Sequence, residues 1–122
     1  MMKHILTTTI GVILLLSYSD AHAGDKSFRK CVACHTIEEG GKNKMGPNLW
    51  DIFNRGTGKA KDYKYSKKFA AWAKVNPCWT PALMDQWLTK SKSMVKGTKM
   101  NFREKKPERR KETIEFLRSA AP

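Results

Sequence analysis

Glycine and proline are sparse, eight and five in 122 residues, and they recur at no fixed interval. That excludes collagen-like and low-complexity chains. No apolar run is long enough to span a bilayer: the longest, Ile5 to Leu16, falls short of the roughly 20 residues a membrane helix needs. Acidic residues are also few, 11 against 24 Lys and Arg, which leaves a formal net charge of +13. A charge of that size suits a disordered basic tail, but four Trp, five Phe and three Tyr are more aromatic material than such a tail carries. What remains is one small, very basic folded domain.

Histidine and cysteine are scarce too, three of each. Residues 1–23 have the order of an export signal: Lys3 at a polar start, the apolar stretch, then the small-x-small site Ala21-His22-Ala23 before Gly24. The expectation is cleavage after Ala23, a periplasmic location, and a domain over residues 24–122. Removing His4 and His22 with the signal leaves His35 alone, so chemistry that needs two histidines in one chain is excluded. A domain of roughly 100 residues buries a modest core and is often stapled by a disulfide, a metal or a cofactor.

The cysteine spacing indicates which staple. Cys31-Val32-Ala33-Cys34-His35 is C-x-x-C-H, the attachment signature of c-type haem. Residues three apart share a helix face, so both thiols can reach the vinyl groups of one porphyrin, and His35 offers an imidazole to its iron. Three other readings compete. A redox C-x-x-C pair expects strand–helix alternation, and none is visible. A zinc site from Cys31, Cys34, His35 and Cys78 lacks a second finger-like ligand pair. A structural disulfide would leave one thiol over. A low-spin haem also needs a sixth ligand, and methionine is the available one. Met100 ranks first, in Gly97-Thr98-Lys99-Met100-Asn101-Phe102, where glycine permits a sharp turn and Phe102 shields the site. Met94 ranks second, in the same loop; Met84 reads as core filler, and Met45 has little chain in which to cross the haem.

The periodicity predicts an all-α chain. A first helix runs from Gly24 to His35 with Phe28, Cys31, Val32 and His35 along one stripe. A polar, glycine-rich loop follows from Glu38 to Lys64, with one helical turn at Leu49–Phe53. Ser66 caps a short helix carrying Phe69, Ala70, Trp72 and Ala73. Thr80-Pro81 starts a helix to about Lys90, and Pro107 opens the last, with Thr113, Ile114, Phe116 and Leu117 on its apolar side.

Four segments in this order, Cys31–His35, Gly46-Pro47-Asn48-Leu49, Trp79 before Thr80-Pro81, and Gly97–Phe102, resemble the class I c-type cytochromes of the mitochondrial and bacterial short-chain kind, over about residues 24–119. The resemblance implies a cytochrome c fold: N- and C-terminal helices crossing, Gly24 close to Phe116, and short helices and loops wrapped around one haem c held through Cys31 and Cys34. It implies His35 and Met100 as axial ligands, a Pro47 carbonyl accepting the other ring N–H of His35, and Arg55, Tyr65 and Trp79 around the haem propionates. Two departures stand out. Trp87 occupies the place of a tyrosine that hydrogen-bonds near the Met sulfur. Ser91–Gly97 lacks the prolines common there, which predicts a Met100–iron bond more easily displaced, by a nearby lysine at high pH. Cys78 has no family role and reads as a buried, inert thiol.

With both axial positions filled, the expected chemistry is outer-sphere electron transfer by a monomeric carrier that is not itself an enzyme. By resemblance, its partners are a quinol–cytochrome c reductase and a terminal cytochrome oxidase. Lys30, Lys42, Lys44, Lys92, Lys96, Lys99, Lys105 and Lys106 flank the attachment motif or the Met loop and would steer docking to acidic partners, with a peripheral membrane encounter possible in principle and no nucleic acid. The competing classes are a basic nucleic-acid or anionic-membrane binding module, which leaves the cysteine motif unexplained, and a haem peroxidase, which requires loss of the Met100 ligand.

Overall fold

Helix starts in this chain are set by a few residues with clear chemistry. Ser66 Oγ accepts from the Phe69 amide and starts α3 (Lys67–Val75). Thr80 Oγ1 accepts from the Leu83 amide and, with Pro81 at the first position, starts α4 (Pro81–Thr89). Pro107 opens the longest helix among the described residues, Pro107–Ser119, without a side-chain cap. The computed structural model describes residues 25–120, so the expected signal at 1–23 and the placement of Gly24 lie outside the described residues.

In chain order the elements are α1 (Asp25–Phe28), α2 (Ile52–Arg55), α3, α4, α5 (Ser91–Met94) and α6 (Pro107–Ser119). There is no strand among the described residues. Helix α6 packs against α1, α2 and α4, and α5 packs on α4. The N- and C-terminal elements meet through Phe28 and Phe116, whose rings lie 4.7 Å apart. Along α4 the buried residues are Met84, Trp87 and Leu88, at the i, i+3, i+4 spacing of one helix face. They join Thr113, Ile114 and Leu117 of α6 and Phe69 and Ala73 of α3 in the buried interior.

Four expectations need correction. The first helix ends at Phe28 and does not continue to His35. Beyond it the Cys31 amide donates to Phe28 O at 2.7 Å, and Cys31 O accepts from both Cys34 N (3.0 Å) and His35 N (2.9 Å). The chain thus tightens into a separate turn that keeps Cys31 and His35 inside and leaves Val32 43% exposed, off the buried stripe. The turn expected at Leu49–Phe53 is α2, at Ile52–Arg55. Met94 belongs to α5 and not to a loop. Cys78 is exposed. It lies in the link between α3 and α4, where the next residue, Trp79, is buried and 6% exposed.

Candidate functional site

The site is assembled around one histidine. His35 is buried, and its Nδ1 lies 2.7 Å from Pro47 O, which makes Nδ1–H the donor and leaves Nε2 with its lone pair. Burial lowers the pKa of His35, and the Pro47 carbonyl opposes this by holding the ring proton. The loop that supplies Pro47 is tied back to the cysteine turn: Gly46 N donates to Cys34 O at 2.7 Å. A side chain at Gly46 would not fit, because its Cβ would stand 2.3 Å from His35 Cε1.

Asn48 holds this loop in shape. Its Nδ2 donates to Thr36 Oγ1 (2.7 Å) and Glu38 O (2.9 Å), its Oδ1 accepts from Trp50 N, and its amide donates to Asn43 Oδ1. Arg55 reaches the same loop from α2, donating Nη2 to Asn48 O at 2.8 Å and Nη1 to Trp50 O at 3.0 Å. Its third nitrogen, Nε, is buried with no partner among the described residues. A buried guanidinium N–H left over beside a cavity is a place for an anionic oxygen.

That cavity has a volume of about 430 Å³, within the range of ligand pockets. All eight candidate residues line it: Cys31, Cys34, His35, Pro47, Arg55, Tyr65, Trp79 and Met100. Tyr65 accepts from the Ala60 amide at 3.0 Å through its phenol oxygen, and burial raises its pKa. Much of the remaining wall is apolar, with Leu49, Ile52, Phe69, Met84, Trp87 and Leu88. Trp87 is set in an aromatic cluster: its ring centroid is 5.4 Å from Phe69, 5.7 Å from Trp79 and 6.3 Å from Trp72. Met100 is half-buried in the loop after α5, where Gly97 makes the turn at φ +87°.

The other readings of the cysteine motif fare poorly. Burial and the neighbouring Cys34 thiol push Cys31 up to about 11, more than Lys30 can offset, the opposite of the low-pKa thiolate a redox dithiol uses. Among the described residues no three His, Cys, Asp or Glu side chains cluster to hold a metal ion, and exposed Cys78 is not part of the site. The donor set fits a haem instead: two thiols on one turn, an imidazole with a free Nε2, an apolar slot and an unpaired guanidinium N–H.

A wrapper of helices and loops around one cavity, with that set at its wall, defines a covalent haem protein of the c type. Residues 21–121 match the Cytochrome c family. The chain is 32% identical over 112 residues to cytochrome c2 of Rhodospirillum rubrum, covering 85% of this chain and 83% of that protein. It is 34% identical over 106 residues to cytochrome c-550 of Novispirillum itersonii (80% and 96%) and 39% identical over 103 residues to cytochrome c of Ginkgo biloba (83% and 88%). The chain belongs to the cytochrome c family. It therefore binds haem c covalently through Cys31 and Cys34, and it is an electron carrier that acts with redox partners, not an enzyme.

Sequence reasoning missed Asn48, whose part shows only in its five bonds, and the buried Ser91 hydroxyl, which contacts Met100 O. The lysines expected to ring the site divide into two groups. Lys30 is paired with Glu104 at 2.7 Å, Lys44 donates to Val32 O, and Lys99 donates to Lys64 O and lies over the Tyr63 ring. Lys42, Lys92, Lys96, Lys105 and Lys106 are exposed.

Proposed function

We propose that this protein is a periplasmic carrier that takes one electron from a quinol–cytochrome c reductase and delivers it to a terminal cytochrome oxidase. The haem, when bound, supplies a one-electron iron couple. In this reading His35 Nε2 and the Met100 sulfur would hold its iron. Arg55, Tyr65 and Trp79 would bind its carboxylates, and the spare Arg55 N–H would offset the cost of holding a carboxylate away from water. The observation that carries the ligand assignment is the 2.7 Å contact between His35 Nδ1 and Pro47 O, which fixes the ring with Nε2 free. With both residues holding the iron, no position would be open to dioxygen or peroxide, which would set the carrier apart from a peroxidase.

The partners are argued from the surface. Met45 lines the cavity and is 79% exposed, with the exposed Lys42 on the same loop. Lys92, in α5, and Lys96, four residues before Met100, are exposed. An acidic protein with a small apolar centre fits that face. Among the described residues no helix is long and apolar enough to cross a membrane.

The test is steady-state oxidation of the reduced protein by a purified cytochrome oxidase, and reduction by a purified quinol–cytochrome c reductase, across ionic strength. Both rates are expected to fall as salt rises. Glutamate at Lys92 and Lys96 is expected to slow them several-fold at low salt and little at high salt. Rates indifferent to salt and to both substitutions would contradict electrostatic docking on this face.

A further inference from the structure

Ser91 has no solvent exposure at all, yet it is polar and lies beside the segment that carries Met100. Its hydroxyl donates to Met100 O at 3.0 Å and accepts from the Phe102 amide at 3.0 Å. Its own amide donates to Phe102 O at 3.1 Å, and one step further out Glu104 N donates to Leu88 O at 2.9 Å. Residues 88–91 and 102–104 are thereby zipped together at the base of the loop. A hydroxyl has one proton and two lone pairs, and here the donor and one acceptor site are used in closing that base.

We infer that Ser91 is a positioning residue for Met100, a buried latch that holds the loop closed so that the methionine stays at the cavity wall. This rests on the reading of Met100 as an axial ligand. The segment from Ser91 through α5 to Gly97 contains no proline, so φ restriction does not stiffen it. Hydrogen bonds across its base do so instead, and they use a backbone N–H that a proline at position 91 would lack. Position 91 requires a small side chain with a hydroxyl: alanine would leave Met100 O and Phe102 N without their partner in a site closed to water.

The test compares the ferric holoprotein with Ser91→Ala and Ser91→Thr. Each is titrated upward from neutral pH while the far-red sulfur-to-iron absorption band is followed, and each is mixed with cyanide to time entry of an external ligand. Ser91→Ala is expected to lose the band about one pH unit earlier than the parent and to take up cyanide about tenfold faster, the effect of losing one buried hydrogen bond. Ser91→Thr keeps the hydroxyl and should stay closer to the parent. In the parent itself the Phe102 amide should be among the slowly exchanging protons of the loop. Equal midpoints and cyanide rates for parent and Ser91→Ala would overturn the latch, as would a threonine variant no better than alanine or a Phe102 amide exchanging like exposed backbone. A parent that shows the band while Ser91→Ala behaves identically fails the latch alone. A parent with no band fails the Met100 assignment and the latch with it.

Discussion

Three contacts from one short loop fix the His35 ring. Pro47 O accepts a hydrogen bond from its Nδ1–H, the Gly46 backbone lies against its edge, and Gly46 N donates to Cys34 O. Gly46→Ala would drive a methyl into the imidazole, where a Cβ would sit 2.3 Å from Cε1. The ring or the loop must then move, at a cost of about 2 kcal/mol typical of overpacking. The expected outcome is a lower melting temperature and a poorer yield of haem-loaded protein; an alanine variant as stable as the parent would contradict the packing. Much of this site was legible in sequence, because Cys31, Cys34 and His35 share one motif and Pro47 and Met100 lie in two others. The parts of Asn48 and Ser91 were not, since their bonds reach residues five to twelve positions away with no characteristic spacing.

At the scale of elements, caps decide where helices begin. Thr80→Ala would remove the oxygen that accepts from Leu83 N and is expected to destabilise the protein by about 1 kcal/mol. Denaturant unfolding measures this directly, and no loss would mean the cap is already satisfied by solvent. Helices α3, α4 and α6 were readable because Ser66, Thr80, Pro81 and Pro107 signal their starts in the chain itself. Helix α5 was not, since its four residues have no side-chain cap and its first residue is fixed by Phe102 and Met100, remote in sequence. The first helix is shorter than its sequence pattern suggests for a related reason. Its apolar period continues past Phe28, but the shared Cys31 carbonyl tightens the chain into a different turn. Periodicity records which residues are buried and not which hydrogen bonds bury them.

Across the whole molecule, a charge of +13 must be held in a compact chain, and ion pairs at the joints help to hold it. Lys30, after α1, meets Glu104, before α6, while Arg110 of α6 meets Asp85 of α4 at 2.7 Å and donates to Glu104 O. Hydrogen bonds from the Lys30 ammonium and the Lys106 amide hold the Glu104 carboxyl below its usual pKa, against the opposing effect of burial. The unfolded chain therefore takes up this proton first. The contribution to stability is complete above the ordinary value of 4.5 and is lost as pH falls through the lower folded value. Glu104→Gln is expected to lower stability at neutral pH and to flatten its decline in acid; parallel pH profiles for the two proteins would show that the pair contributes nothing. In the proposed docking the same basic excess would steer encounters with partners, through Lys92 and Lys96 more than through Lys30 and Lys99, whose ammonium groups have internal partners.

The absorption spectrum of the purified ferric and ferrous protein at neutral pH decides whether the covalently held haem has its iron bound by His35 and Met100, as proposed. Sharp α and β bands are expected in the reduced state and the weak far-red sulfur-to-iron band in the oxidised state. A high-spin ferric spectrum without that band would contradict the assignment.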